Sequence, residues 1–156
     1  MSRNKDLLEA YQLALNKCRK AKLSYLKSAD KQHLPEYKRF FNLQATVRNR
    51  IYNDLITMLN GTQLSFGTSF LENHDREDIM IATLLTEKKN AFSKAIESDE
   101  SLIEQLIQLL DVEENLDAQN QLMRFIDKLK NSLSTNRNFE KETFSISEKK
   151  SKLILF

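Results

Sequence analysis

Cys18 is the only cysteine in the chain, so an internal disulfide and a multi-thiolate metal site are both excluded. One proline and two glycines in 156 residues leave few points at which a helix must stop. Runs of β-branched residues are also scarce, and the abundant residues are Leu, Lys, Glu and Asn. The composition therefore predicts an all-α chain. No stretch approaches the roughly 20 apolar residues that span a bilayer, and MSRNKDLLEA carries no apolar signal core, so a cytoplasmic protein without a transmembrane segment is expected. Only His33 and His74 could supply imidazole. There is no glycine-rich phosphate loop, no zinc spacing and no nucleophile with an adjacent base, so no catalytic residue and no cofactor is assigned.

What is present is charge, unevenly spread. Residues 1–60 carry 12 Lys and Arg against 5 Asp and Glu, residues 61–127 carry 5 against 14, and residues 128–156 carry 7 against 3. A basic front and an acidic middle attract each other within one molecule or between copies. Nucleic-acid binding is not expected, because aromatics do not interleave the basic residues and the acidic half repels phosphate. Lys17, Lys20, Lys27 and Arg39 could still form a basic face toward an anionic surface.

Helical periodicity fills most of the chain. From about Asn4 to Lys27, Leu8, Tyr11, Leu15, Cys18, Lys22 and Tyr25 alternate spacings of three and four, flanked by Leu7, Ala14 and Ala21. Cys18 on this face reads as a buried, inert thiol. Pro35 suits the first position of a second helix, where its missing N–H is not needed. That helix carries Tyr37, Phe40, Phe41, Val47, Ile51, Leu55 and Met58, with Gln44 and Arg48 beside the stripe. Gly61 is the expected stop, through a positive φ.

Gly61 to His74 shows no helical repeat and holds both glycines. Two helices of about 25 residues are about 37 Å long, and about 13 extended residues reach roughly 43 Å. The segment can therefore return along the whole bundle, with Leu64, Phe66, Phe70 and Leu71 as anchors. A third helix is expected from about Asp75, capped by Asn73 or His74, through Met80, Leu84, Phe92 and Ala95 to about Glu97. Ser98, Asp99 and Ser101, with Glu104 completing a capping box, predict a break before a fourth helix. That helix carries Leu102, Leu106, Leu109, Glu113, Leu116, Asn120, Met123, Ile126, Leu129 and Leu133. Short, long and short connections predict an up-down-down-up four-helix bundle with one long crossover between helices 2 and 3, spanning residues 1–133. Residues 134–156 are expected to leave the bundle as a polar tail, whose end, Leu153, Ile154, Leu155 and Phe156, could dock on a partner.

The segment LLEAYQLALNKCRKAKLSYLKSADKQHLPEYKRFFNLQATVRNRIYNDL resembles the first helical pair of a bacterial ferritin-like family of unknown function. DREDIMIATLLTEKKNAFSKAI followed by SLIEQLIQLL is similar to the second pair, with Glu87 and Phe92 in the family's order. The resemblance covers about residues 5–133 and implies a ferritin-like bundle with a role in stress response. A di-iron site in such a bundle takes Glu from two helices and Glu-x-x-His from the other two. His33 and His74 both fall at helix boundaries, and Asp30-x-x-His33 lies in a connection, so that set is incomplete. Gln44, Glu87, Glu113 and Asn120 interrupt apolar stripes and are expected to form a buried polar cluster; Glu87 and Glu113 are the candidate metal carboxylates. The expected function is a non-catalytic bundle that acts through self-association or a protein partner. The alternative is a metal-binding or redox protein with an atypical carboxylate site in its core.

Overall fold

The computed structural model describes residues 2–62, 64 and 91–154. Among these, four helices and no strand are present: α1 Ser2–Asp30, α2 Pro35–Gly61, α3 Ala91–Val112 and α4 Leu116–Ile154. None is long and apolar enough to cross a membrane.

In α1 the anticipated stripe is the buried one. Tyr11, Ala14, Leu15, Cys18, Ala21 and Tyr25 are buried, and the small alanines let neighbouring helices approach between the larger side chains. Four residues after Asp30 separate α1 from α2, which begins with Pro35 as expected. The end of α2 differs from expectation. Gly61 is still helical, and Thr62 closes the helix in a right-handed conformation, φ −83° and ψ −8°. Its hydroxyl donates to the Leu59 carbonyl at 2.6 Å and accepts from the Leu64 amide at 3.2 Å, so a side chain satisfies the helix end and no positive φ is required.

The expected break at residues 98–101 does not occur. α3 passes through it on one stripe of Phe92, Ala95, Asp99, Leu102, Leu106 and Leu109, all buried. Asp99 is captured by another helix instead of capping its own, and the tendency of Ser and Asp to leave a helix interior is worth only about 0.5 kcal/mol each. The break falls at residues 113–115. Asn115 caps α4 by accepting from the Ala118 amide at 3.0 Å, with Asp117 in the first turn. These three residues reset the helical phase. Leu116, Asn120 and Met123 consequently face outward, while Leu122, Phe125, Ile126 and Leu129 face the core.

The expected boundary after Leu133 is likewise replaced by continuous helix. α4 runs 39 residues, about 57 Å at 1.5 Å per residue. Asn136 is fully buried, and the Phe139 ring lies 4.9 Å from Tyr37 and 5.1 Å from Phe40. A buried asparagine and widely spaced phenylalanines make this stretch read as polar, yet their spacing continues the inward stripe. Leu153 and Ile154 belong to the helix; Leu155 and Phe156 lie outside the described residues, as do the crossover beyond Leu64 and the expected start of the third helix.

Contacts set the helix directions. Arg19 meets Tyr52 and Tyr25 meets Arg48, so α1 and α2 are antiparallel. Tyr11 meets Glu113 and Tyr25 meets Asp99, so α1 and α3 are antiparallel. Ser93 meets Glu140 and Asp99 meets Ser132, which makes α3 and α4 antiparallel. α2 and α4 touch more sparingly, through Tyr37 with Glu142 and Arg48 with Ser132. The apolar core has two parts. The larger contains Tyr11, Leu15, Ile51, Leu55, Leu102, Leu106, Leu122 and Leu129. The smaller is aromatic, built on Tyr25, Tyr37, Phe41 and Phe92 near the α1–α2 turn. A polar layer lies where they meet.

Candidate functional site

Each of the four helices sends a polar side chain into that layer. On α2, Arg48 lies between the buried Ala45 and Ile51; on α3, Asp99 lies between the buried Ala95 and Leu102. Helical spacing therefore forces both side chains inward. Both are fully buried, and they form an ion pair at 2.7 Å. The guanidinium approaches one oxygen twice, through Nη2 at 2.7 Å and Nε at 3.1 Å, both to Oδ1.

The remaining Arg48 donors are also used. Nη1 donates to the Gln44 side-chain oxygen at 2.7 Å and to the Gln44 carbonyl at 3.0 Å. Nη2 reaches the Ser132 hydroxyl of α4 at 3.0 Å and the Tyr25 hydroxyl of α1 at 3.3 Å. The guanidinium carbon also sits 4.2 Å from the Tyr25 ring centroid, a cation–π position. Tyr25 in turn donates to Asp99 Oδ2 at 2.6 Å and accepts from Asn136 Nδ2 at 2.6 Å. Asn136 Oδ1 is the one buried side-chain polar atom among the described residues without a partner.

Burial pushes the Asp99 carboxyl above its usual range, and the Arg48 charge and the donors from Tyr25, Arg48 and Ser132 oppose that push. Tyr25 is raised by the same burial, so its hydroxyl stays protonated and donates. Cys18 lies beside this layer, donating from Sγ to the Arg48 carbonyl at 3.1 Å. Burial pushes its thiol up to about 12, which leaves almost no thiolate at neutral pH. Its expected role as a buried, inert thiol matches this environment.

A second polar site closes the other end of the bundle. Glu113 is buried; its Oε2 accepts from the Tyr11 hydroxyl at 2.6 Å. Its Oε1 accepts from the amides of Glu114 and Asn115, each at 3.1 Å, and its carbonyl accepts from Gln119 Nε2 at 2.7 Å. One residue thus satisfies the amides of the α3–α4 corner and ties it to α1. Burial first, then the bond and charge of Glu113, raise the Tyr11 hydroxyl far above its ordinary range. The corner borders an open cleft of about 420 Å³ floored by Leu7, Met58 and Val112.

Of the four residues expected to cluster, the three that are described are not brought together. Gln44 joins the Arg48 layer from a half-buried position, Glu113 belongs to the corner, and Asn120 is exposed on the outer face of α4. Asp99 lies in α3 and Glu113 just past its end, about 21 Å further along the helix axis. Glu87 lies outside the described residues. The physical reason for the separation is the misplaced break: the continuous α3 carries Glu113 to the bundle end, and the reset phase turns Asn120 outward. Among the described residues, no three His, Cys, Asp or Glu side chains come together. His33 is exposed in the α1–α2 turn.

Sequence reasoning missed Arg48, Asp99, Ser132 and Asn136. A signal was available, since Asp99 continues the three-four spacing from Phe92 to Leu109 and Arg48 stands three residues from Ala45 and from Ile51. What defines the described residues is thus an all-α bundle of four helices with a buried, hydrogen-bonded ion-pair layer across its middle. No family model, curated protein or solved structure matches it.

Proposed function

We propose that this chain is a non-catalytic helical bundle of ferritin-like, up-down-down-up order that has no standard di-iron site and acts through self-association or a protein partner. The antiparallel pairs α1/α2, α1/α3 and α3/α4 support the order, because they leave α2 and α3 running the same way. The observation that carries the functional reading is the Arg48 guanidinium in the middle of the core. A di-iron centre needs several carboxylates converging at one level, with charge left for the metal. Among the described residues the one buried carboxylate at that level, Asp99, is paired with a cation already in place. A second cation at that point would meet like charge in a low-dielectric interior. In this reading the protein is cytoplasmic, and Leu153, Ile154, Leu155 and Phe156 contact the partner.

The alternative, an atypical metal or redox centre, draws on one observation, the buried Glu113 carboxylate beside the open cleft with Glu114 and Asp117. Elemental analysis of the purified chain after iron, manganese or zinc loading separates the two. Substoichiometric metal is expected; stoichiometric metal that Glu113→Ala removes would overturn the non-catalytic reading.

A further inference from the structure

Two exposed stripes carry the same spacing and opposite charge. On α2, Arg39, Leu43, Thr46 and Arg50 follow one another at four, three and four residues, which places them on one outward face. Leu43 is 60% exposed, the most exposed large apolar residue of its helix. On α3, Glu100, Glu104, Ile107 and Asp111 share an outward face at four, three and four residues, and Ile107 is 42% exposed. Each stripe is a single apolar knob flanked by charges of one sign, basic on α2 and acidic on α3.

We propose that these stripes are the two halves of one self-association surface, the α2 stripe of one copy docking antiparallel on the α3 stripe of the next. With Leu43 set against Ile107, Arg39 falls opposite Asp111, Thr46 opposite Glu104 and Arg50 opposite Glu100. Each stripe is about 16 Å long, so all four pairs form together. Asn42 faces Gln108 in the same register, and both are exposed. α3 ends at Val112, just past Asp111, which ends the ladder there. A parallel docking that keeps Leu43 on Ile107 sets Arg39 against the buried Ile103. One that pairs Arg39 with Glu100 sets Leu43 against Glu104, so only the antiparallel register joins both the charges and the apolar knobs. Glu100 already pairs with Arg137 at 2.9 Å, but both side chains are more than half exposed, so Arg50 competes for that carboxylate on even terms.

The placement of the helices determines the kind of assembly. α2 packs on α1 and α4, and α3 also packs on α1 and α4, so α2 and α3 occupy opposite corners of the bundle. One two-fold contact cannot use both stripes of both copies. The interface is heterologous, each copy giving its α2 stripe to one neighbour and its α3 stripe to another, and short chains of alternating orientation result. Its partner is a second copy of this chain. A contact of this size belongs to the weak, transient class, steered by charge.

This surface rests on the self-association form of the proposed function, and sedimentation velocity of the full chain tests it. Wild type is expected to associate as its concentration rises at about 50 mM salt, and about ten-fold less tightly at about 500 mM. Arg39→Glu/Arg50→Glu alone, and Glu100→Arg/Asp111→Arg alone, are each expected to stay monomeric with unchanged helical melts. An equimolar mixture of the two is expected to associate, because one then has two acidic stripes and the other two basic ones. Leu43→Ser in the first variant is expected to weaken that mixture. The control Lys20→Glu/Lys27→Glu, with the same charge change off the stripe, is expected to associate as wild type does. Wild type that associates regardless of both stripe variants would overturn this surface while leaving self-association standing. Wild type that is monomeric throughout would overturn both, and leave only the partner-protein form of the reading. Loss of association in the control equal to that in Arg39→Glu/Arg50→Glu would show a general charge effect and overturn the register.

Discussion

Replacing Arg48 with Met keeps most of the side-chain volume but removes the charge from the polar layer. Asp99 is then left fully buried, with only the Tyr25 and Ser132 hydroxyls facing it. Breaking one side of a buried pair in this way costs about 3–5 kcal/mol. Gln44 loses its Arg48 contact as well, but it is half-buried and can turn to water. For a chain of this size, about 2–4 °C is lost per kcal/mol, so a fall of about 6–20 °C in melting temperature is expected. The loss should depend on pH. Burial already pushes the Asp99 carboxyl upward, and without the guanidinium only the Tyr25 and Ser132 hydroxyls oppose that push. A group whose folded pKa is raised contributes stability below its unfolded value, near pH 4, and loses it as pH rises through the folded value. Arg48→Met should therefore be least destabilised near pH 4 and progressively worse toward pH 7. Adding Asp99→Asn removes the buried charge and should recover most of the deficit at pH 7. Thermal and urea melts followed by circular dichroism, run as a double-mutant cycle, measure all of this. A cost under about 1 kcal/mol at pH 7 for Arg48→Met, with no dependence on pH, would refute a desolvated ion pair at this position.

Further predictions address the other sites. Tyr11→Phe removes one of three bonds to the Glu113 carboxylate and should cost about 1 kcal/mol, whereas Asn120→Ala, on the exposed face of α4, should change denaturation by under about 0.5 kcal/mol. Ending the chain after Leu133 removes buried Asn136 and the Phe139 ring from the aromatic cluster, and should destabilise by at least about 3 kcal/mol in the same urea assay. Cys18, with its thiol pushed up to about 12, should react with a disulfide reagent at pH 8 only as fast as the protein opens, so labelling should accelerate sharply in urea. If deletion of residues 147–156 left melting temperature and oligomeric mass unchanged, a partner contact through Leu153, Ile154, Leu155 and Phe156 would be ruled out.

Local periodicity made the first half of the fold readable. The α1 stripe and the Pro35 start of α2 follow from spacing and backbone chemistry within a few residues, and the structure shows both. The second half was read with the right residues in the wrong segments. Ser98, Asp99, Ser101 and Glu104 have the chemistry of a helix start, and nothing local says that Asp99 answers to a guanidinium 51 residues earlier. Asn115 caps α4 with equally good chemistry, but a stripe drawn unbroken from Leu102 to Leu133 hides it. Glu113 stood out as a carboxylate in an apolar row; that it closes a corner required knowing that α3 ends there.

Composition and apolar period by themselves determined that the chain is helical, that α1 buries its Ala, Leu and Tyr face, and that Cys18 is an interior thiol, because these depend on interactions within about one helical turn. Only the tertiary structure decided which polar side chains are core. Arg48 and Asp99 are unremarkable charges until four helices enclose them, and the desolvation that makes each demand the other exists only in the assembled bundle.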